Sequence, residues 1–168
     1  MTAAQADLHI DRPTVADGAV LWRIARDSKV LDLNSSYSYL LWCRDFAATS
    51  AVARDERGEP IGFVTGYLRP DSPRTLLVWQ VAVDGAHRGR GLAAALLDGL
   101  VVRITAEHGV TAVETTITPG NTASERLFTA FAERHGAPLE REVLFGAGQF
   151  PDGPHDPEVL YRIGPLTP

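Results

Sequence analysis

The pattern of hydrophobic and polar positions changes period several times along the chain. Residues 7–12 are predicted to form a short first strand. Thr14 is a candidate helix N-cap, because Asp17 follows three residues later and an amphipathic stretch comes next. The apolar positions of that stretch are Leu21, Ile24 and Ala25. After a polar, turn-like segment over 27–36 we expect a second helix, whose buried side is predicted to be Leu40, Leu41 and Phe46.

The middle of the chain has the period of two that is typical of strands. Residues 50–54 and 61–67 are predicted to form a pair of strands joined by a turn at 55–58. Residues 69–74 make the next connection, and 75–83 (TLLVWQVAV) is rich enough in β-branched and aromatic residues to be a central strand. The first half of this strand is apolar on both faces, so we expect it to be covered on both sides.

The second half of the chain alternates helical and extended segments. Apolar residues recur at helical spacing over 91–107, and 111–118 (TAVETTIT) predicts another strand. Asn121 or Thr122 is expected to cap a further helix that ends at Gly136. The residues of this helix expected to face inward are Leu127, Phe128 and Phe131.

Two more extended segments, 140–145 and 158–163, flank a loop rich in proline and glycine. The predicted elements therefore follow the order β α α β β β α β α β β. This order indicates one α/β domain over residues 1–168, with a mixed sheet and helices around it.

Composition and charge narrow the possible classes of function. Hydrophobic residues make up 45% of the chain and charged residues 22%, which is typical of a globular protein, and the net charge of -5 argues against a nucleic-acid partner. Cys43 is the only cysteine, which excludes an internal disulfide and a thiolate metal cluster. No signal peptide is apparent, and no apolar stretch is long enough to span a bilayer. We therefore expect a cytoplasmic protein without a metal or a membrane partner.

The segment Val81–Ala93 carries the most informative motif: a strand, a short turn rich in glycine and arginine, and the start of a helix. Such a turn presents free N–H groups to phosphate oxygens, and Arg88 and Arg90 add positive charge. An ordinary turn with solvated arginines is the structural alternative. Gly89-x-Gly91-x-x-Ala94 also fits the loose dinucleotide fingerprint. That fingerprint places an acid at the end of the next strand, however, whereas Glu114 lies in the middle of it.

Two motifs resemble those of the GNAT acetyltransferase superfamily. Arg88-x-x-Gly91-x-Ala93 is similar to its R/Q-x-x-G-x-G/A signature, and Asn121-x-x-Ser124-x-x-x-Phe128 to its N-x-x-A/S-x-x-x-Y element. The resemblance implies the GNAT fold, a mixed and mostly antiparallel sheet flanked by helices. Its central strands, here 75–83 and 111–118, splay apart around the pantetheine arm of acetyl-CoA.

The same resemblance implies a set of residues that bind acetyl-CoA, partly through the main chain of the splayed strand. They are Val81, Val83, Arg88, Gly89, Arg90, Gly91, Leu92, Ala93, Asn121, Ser124 and Phe128. Phe128 departs from the pattern, because many relatives have a tyrosine there that protonates the departing CoA thiolate. A role for Phe128 as an apolar wall is the structural alternative.

Segments across residues 11–166 resemble the L-2,4-diaminobutyrate acetyltransferases in particular. These segments are 32–41 (DLNSSYSYLL), 62–67, 78–83, 118–121 and 150–165. The resemblance implies a homodimer that transfers acetyl from acetyl-CoA to the γ-amine of L-2,4-diaminobutyrate, in the synthesis of the osmolyte ectoine. Two alternatives stay open: a GNAT enzyme for another amine, and a catalytically silent acyl-CoA sensor, which the loss of the tyrosine at Phe128 favours.

A diamino acid carries two ammonium groups and a carboxylate, so its site needs acids and hydrogen-bond donors. The candidate substrate-binding residues are Asp32, Asn34, Tyr39, Trp79, Gln80 and Thr118. Asp32 and Glu158 are expected to hold or deprotonate the ammonium groups. Trp79 is expected to face the opposite side of its strand from Gln80 and to form a wall of the site. Helix capping by Asp32 and core packing by Trp79 are the structural alternatives.

The candidate catalytic residues follow from the need for a neutral amine. Glu158 is predicted to be the general base, with His155 as the second choice. A main-chain N–H, that of Val81 by preference, is expected to stabilise the oxyanion. Tyr37 is the candidate for protonating the thiolate.

Overall fold

The computed structural model describes residues 8–167, so Asp7 of the predicted first strand lies outside the described residues. The strands and helices follow each other in the predicted order. They are β1 (His9–Asp11), α1 (Gly18–Ser28), α2 (Ser36–Asp45), β2 (Ala51–Arg54), β3 (Pro60–Arg69), β4 (Ser72–Val83), α3 (Leu92–His108), β5 (Ala112–Ile117), α4 (Thr122–Arg134), β6 (Leu139–Phe145) and β7 (Glu158–Ile163). Strand β4 begins earlier than predicted, so Pro70 and Asp71 alone connect it to β3.

The seven strands form one sheet in the order β1-β2-β3-β4-β5-β7-β6, in which only the β4–β5 pair is parallel. The pairing of β4 with β5 runs from Thr75 opposite Ala112 to Val78 opposite Thr115. Beyond Val78 the two strands separate, although β4 continues to Val83. The predicted mixed and mostly antiparallel sheet, with splayed central strands, is therefore confirmed.

A β-bulge lies where β4 leaves β5. Thr65 of β3 is opposite Gln80, but its neighbour Gly66 is opposite Val78, so Trp79 is the extra residue on β4. Because the bulge interrupts the alternation of side chains, Trp79 and Gln80 both contact α2. The Trp79 ring lies 4.7 Å from that of Trp42, and Gln80 accepts a hydrogen bond from Tyr39. The expectation that Trp79 faces away from Gln80 is therefore wrong.

The sheet has a hydrophobic core on each face. On one face, α3 and α4 pack against the central strands through residues such as Leu96, Leu100 and Phe131. On the other face, α1 and α2 cover β2, β3 and β4. The predicted inner side of α1, namely Leu21, Ile24 and Ala25, is buried as expected.

The buried side of α2 differs from the predicted one. Tyr39, Trp42 and Cys43 face the core, whereas Leu40 and Phe46 are 40% and 38% exposed. The Tyr39 ring packs edge-on against those of Trp42 and Phe63, at 4.8 and 6.3 Å. Tyr39 can be buried because its hydroxyl has a hydrogen-bond partner in the core, which hydrophobicity alone does not reveal.

A buried ion pair ties the N-terminal segment to the sheet. Arg54 of β2 donates two hydrogen bonds of 2.8 Å to the carboxylate of Asp17 and one of 2.9 Å to Asp11. The main-chain N–H of Thr14 donates to the same Asp17 carboxylate, so the predicted cap is present. Burial raises the pKa of Asp17, but Arg54 and Thr14 outweigh this and hold it below the usual 3.8.

The nearby Cys43 thiol is 3% exposed, and burial, followed by the Asp17 charge, raises its pKa to about 11.

None of the helices within residues 8–167 combines the length and the hydropathy needed to cross a bilayer.

Candidate active site

The separation of β4 from β5 opens two neighbouring cavities. The first, of about 550 Å³, lies between the end of β4, the turn that follows it, and the helices α3 and α4. The second, of about 430 Å³, lies between the bulge, the ends of β5 and β7, and the α1–α2 loop. Val30, Leu31 and Asn121 line both cavities. The two cavities therefore meet at a shared wall beside the splayed strands.

The turn after β4 is built to hold an anion. Gly89 and Gly91 have φ angles of 79° and 71°, a region that side chains disfavour, and Gly91 is the N-cap of α3. The first residues of α3, Leu92, Ala93 and Ala94, line the first cavity together with Arg88. The N–H groups of a helix's first turn have no partner within the helix and lie at its positive end. This end of the cavity therefore suits phosphate groups.

Most of the predicted cofactor residues line the first cavity. These are Val81, Val83, Arg88, Gly89, Gly91, Leu92, Ala93, Asn121 and Ser124. Two others lie elsewhere. Arg90 is exposed and lies outside the cavity. Phe128 is 3% exposed and packs in the core, in agreement with its alternative role as an apolar residue. Asn121 caps α4 as predicted, since its side chain accepts a hydrogen bond from the Ser124 N–H at 3.2 Å.

Sequence reasoning missed the side of α4 that faces this cavity. Ala123, Leu127, Ala130 and Arg134 line it at helical spacing, and Arg126 and His87 contribute as well. The spacing of these residues after the Asn121 cap is the signal that could have found them. Arg134 is held at the rim by hydrogen bonds of 3.0 and 3.1 Å to Asp98.

The second cavity collects polar side chains from four parts of the chain. The α1–α2 loop supplies Asp32 and Asn34, the bulge Trp79 and Gln80, the end of β5 Thr116 and Thr118, and the C-terminal region His155 and Glu158. All the predicted substrate-binding residues except Tyr39 are therefore brought together here. Trp79 is 49% exposed, and its ring packs against those of Trp42 and Tyr67. It therefore forms a wall of this cavity rather than part of the core.

One end of the second cavity is suited to a cation. Ligand atoms of Asp32, His155 and Glu158 lie within 4.8 Å of one another, and His155 Nε2 is 3.7 Å from the Asp32 carboxylate. Two carboxylates so close together attract an ammonium group, and the spacing would also admit a divalent metal ion. We call these three residues the cation-binding end.

The surroundings of His155 bear on its role. Its ring stacks on Phe150 with 3.7 Å between centroids, and Nδ1 contacts the main-chain carbonyl of Asp156. That contact, followed by the charges of Asp32 and Glu158, raises the pKa of His155 above its usual 6.5. Both ring nitrogens of His155 therefore face oxygen atoms of the protein, Nδ1 the main-chain carbonyl of Asp156 and Nε2 the carboxylate of Asp32, and this geometry favours Glu158 over His155 as the general base.

The two tyrosines predicted for the site, Tyr37 and Tyr39, line neither cavity. Tyr39 is completely buried, and its hydroxyl donates to Gln80 Oε1 at 2.9 Å. Tyr37 is 66% exposed and lines neither cavity, so this structure does not place it beside a thiolate.

Comparison with known proteins places this arrangement among acetyl-transferring enzymes. Residues 19–132 match the acetyltransferase (GNAT) family. The chain is similar to the L-2,4-diaminobutyric acid acetyltransferase of Streptomyces coelicolor, with 78% identity over 99% of this chain and 98% of that protein. The enzyme of the same name from Marinococcus halophilus is 45% identical over 94% of this chain and 90% of its own length.

A solved structure is similar over nearly the whole chain. It is the diaminobutyrate acetyltransferase EctA from Paenibacillus lautus, in complex with its substrate L-2,4-diaminobutyric acid and coenzyme A. The TM-score is 0.89 at 43% identity, and the match covers 96% of this chain and 97% of that one.

Proposed function

The chain belongs to the GNAT acetyltransferase family, and we propose that it transfers the acetyl group of acetyl-CoA to L-2,4-diaminobutyrate, a step of ectoine synthesis. The observation that carries this proposal is the shared wall of the two cavities. On one side of this wall lies the turn suited to phosphate, and on the other side lies the cation-binding end, where β4 and β5 separate. An acyl donor and a cationic acceptor can therefore meet between them.

Acetyl-CoA occupies the first cavity in this proposal. Arg88 and the N–H groups that follow Gly91 hold the pyrophosphate, because both favour negative charge. Val81 and Val83 bind the pantetheine arm through the main chain, on the part of β4 that has left β5. The thioester then lies beside the wall that the two cavities share.

Diaminobutyrate occupies the second cavity, where Glu158 prepares it for attack. An alkyl ammonium has a pKa of about 10.4, so its deprotonation at neutral pH costs about 4–5 kcal/mol. Glu158 takes this proton, directly or through water, while Asp32 holds the other ammonium group. The γ-amine is the acceptor, because the α-amine is engaged together with the α-carboxylate in recognition. The main-chain N–H of Val81 stabilises the oxyanion that forms on the thioester. Collapse of this intermediate breaks the C–S bond, and the departing CoA thiolate takes the proton that the new amide nitrogen loses, directly or through water.

The alternative of a silent acyl-CoA sensor has less support in this arrangement. Its main argument was the missing tyrosine at Phe128, but Phe128 lies in the core and lines neither cavity. A sensor also has no need of a second cavity with two carboxylates at one end.

Thiol release from acetyl-CoA in the presence of L-2,4-diaminobutyrate, followed by NMR of the product, tests the proposal. We expect turnover that yields the Nγ-acetyl product and is unchanged by a metal chelator. A panel of other amines, including a polyamine and an aminoglycoside, is the control for substrate class. CoA binding by calorimetry without turnover on diaminobutyrate would overturn the proposed substrate.

The assembly we propose is a homodimer that forms along β6. This strand is the last of the sheet, so its outer edge has no partner strand among residues 8–167, and Val143 and Phe145 are 61% and 46% exposed on it. A second copy would cover these side chains.

The consumption of acetyl-CoA, which is made inside cells, supports the cytoplasmic location predicted from the sequence.

Sedimentation of wild type and variants tests this assembly. We expect a dimer for wild type and a monomer for Val143→Lys, because the new charge would be buried in the interface. Val102→Lys, at a similarly exposed position on α3, is the matched control and should remain a dimer. A dimeric Val143→Lys variant would exclude β6 as the interface.

A further inference from the structure

We propose that Gln80 and Tyr39 are positioning residues that hold Asp32 in place, rather than ligands of the substrate. This inference rests on the proposed function, since it concerns how the diamine is bound. It reassigns two residues that the sequence alone places among the substrate contacts. The evidence is a chain of hydrogen bonds that runs from α2 through the bulge of β4 to the α1–α2 loop.

Both ends of the Gln80 amide are already occupied. Its Oε1 accepts a hydrogen bond of 2.9 Å from the Tyr39 hydroxyl, and its Nε2 donates one of 2.8 Å to the main-chain carbonyl of Asp32. Gln80 is 5% exposed and Tyr39 is fully buried. One N–H donor and one lone pair of the amide are not used by these two bonds, but with 5% of Gln80 exposed they are little accessible to a ligand, although the side chain lines the second cavity.

The loop that Gln80 holds has few other attachments. Within residues 8–167 this is the only hydrogen bond that the sheet makes to residues 29–34. Val30 and Leu33 are 71% and 47% exposed and contribute little packing, whereas Leu31 packs against the core on the side of α1 and α2, and Asn34 contacts Tyr39. Asp32 itself projects its carboxylate toward His155 across the cavity. The direction of that carboxylate therefore depends on the bond at its own main-chain carbonyl.

The bulge explains why this contact exists at all. In a regular strand without the bulge, alternation would place Trp79 and Gln80 on opposite faces of the sheet. With it, Trp79 forms a wall of the second cavity while Gln80 reaches both Tyr39 and the loop. One backbone irregularity thus supplies a wall and a support to the same site.

Steady-state kinetics with both substrates test the proposal. We expect Gln80→Met and Tyr39→Phe to raise KM for diaminobutyrate by about tenfold and about threefold, respectively, because each loses hydrogen bonds of the chain. KM for acetyl-CoA should change by less than about twofold, since the turn after β4 holds the cofactor independently. Tyr39→Phe removes a single oxygen atom and is the variant that best preserves the fold.

A double-mutant cycle with Asp32→Ala shows whether the effect passes through Asp32. If it does, adding Gln80→Met or Tyr39→Phe to Asp32→Ala produces no further rise in KM for diaminobutyrate. Thr49→Val is the matched control, because it removes another side-chain bond to a main-chain carbonyl, that of 2.6 Å to Gly66, outside both cavities. A role in stability alone would lower the melting temperature and leave both KM values unchanged.

The outcomes separate this inference from the proposed function. Wild type that does not turn over diaminobutyrate contradicts the proposed function. If wild type does turn over diaminobutyrate, the double mutants decide. Rises in KM for diaminobutyrate that persist in full when Gln80→Met or Tyr39→Phe is added to Asp32→Ala contradict the positioning role and return the two residues to direct substrate binding. Loss of both effects in that background supports it.

Discussion

At the residue scale, the chemistry depends on how three side chains divide their tasks. Asp32, His155 and Glu158 lie within 4.8 Å of one another, but their environments differ. His155 is held by the Phe150 ring and the main-chain carbonyl of Asp156, and its Nε2 faces the Asp32 carboxylate at 3.7 Å, so both of its ring nitrogens are engaged within the protein. This leaves Glu158 as the group that can accept a proton from the substrate.

Replacement of Glu158 by Gln should lower kcat by about 100-fold or more, because it removes the proton acceptor while it preserves shape. Turnover of diaminobutyrate from neutral to mildly alkaline pH measures the effect. Glu56→Gln, at an exposed acid in the turn between β2 and β3 and outside both cavities, is the control and should leave kcat unchanged. A Glu158→Gln enzyme within about threefold of wild type over this range would remove Glu158 from the role of base.

The sequence alone could identify the residues of this trio but not their arrangement. Asp32 and Glu158 were predicted from the needs of a diamino acid together with the family resemblance, and the structure does bring them together. The raised pKa of His155 depends on a main-chain carbonyl and on a stacked ring, neither of which leaves a pattern in the sequence.

At the scale of elements, the turn between β4 and α3 depends on its glycines. Gly91→Ala should lower the free energy of unfolding by about 1 kcal/mol and weaken CoA binding, because alanine disfavours the φ of 71° found there. No atom lies within 4 Å of the added methyl group, so a steric clash does not contribute. Calorimetry with CoA and chemical denaturation measure the two effects.

Gly85→Ala is the matched control for this turn. Gly85 belongs to the same segment and is equally open, but its φ is not in the left-handed region. We expect its stability and its affinity for CoA to match wild type. Equal losses in both variants would show that the backbone conformation at Gly91 is not what matters.

Elements with a regular period were predictable, and irregular ones were not. The apolar spacing of α1 identified its buried side correctly, and the helical period over 91–107 identified α3. The bulge at Trp79 is a register shift between two strands, and a single strand carries no sign of it. The face of α2 was predicted wrongly because Tyr39 is buried through a hydrogen bond to Gln80, a residue far away in sequence.

At the scale of the whole molecule, Arg54 links the N-terminal segment to β2 through Asp17. Removal of Arg54 leaves a carboxylate of which only 8% is exposed without its main partner. We expect Arg54→Met to lower the free energy of unfolding by about 3 kcal/mol at neutral pH. The exposed pair of Arg26 and Asp27 supplies the control, since Arg26→Met should cost less than about 1 kcal/mol.

This loss should depend on pH in a defined direction. The pKa of Asp17 is lowered in the folded protein, so its charge stabilises the fold above 3.8 and ceases to do so as pH falls through the folded-state value. The difference between wild type and Arg54→Met should therefore shrink below about pH 4. Urea denaturation at several pH values measures it, and a constant difference would contradict the assignment.

The burial of Cys43 has a practical consequence for work on this enzyme. It is the only cysteine of the chain, it is 3% exposed, and its pKa is raised to about 11. At mildly alkaline pH roughly one molecule in a thousand would carry its reactive thiolate. A colorimetric disulfide reagent will therefore report the CoA released during the reaction with little background from the enzyme. A cysteine introduced at the tip of the α1–α2 loop could likewise be labelled selectively with a fluorophore.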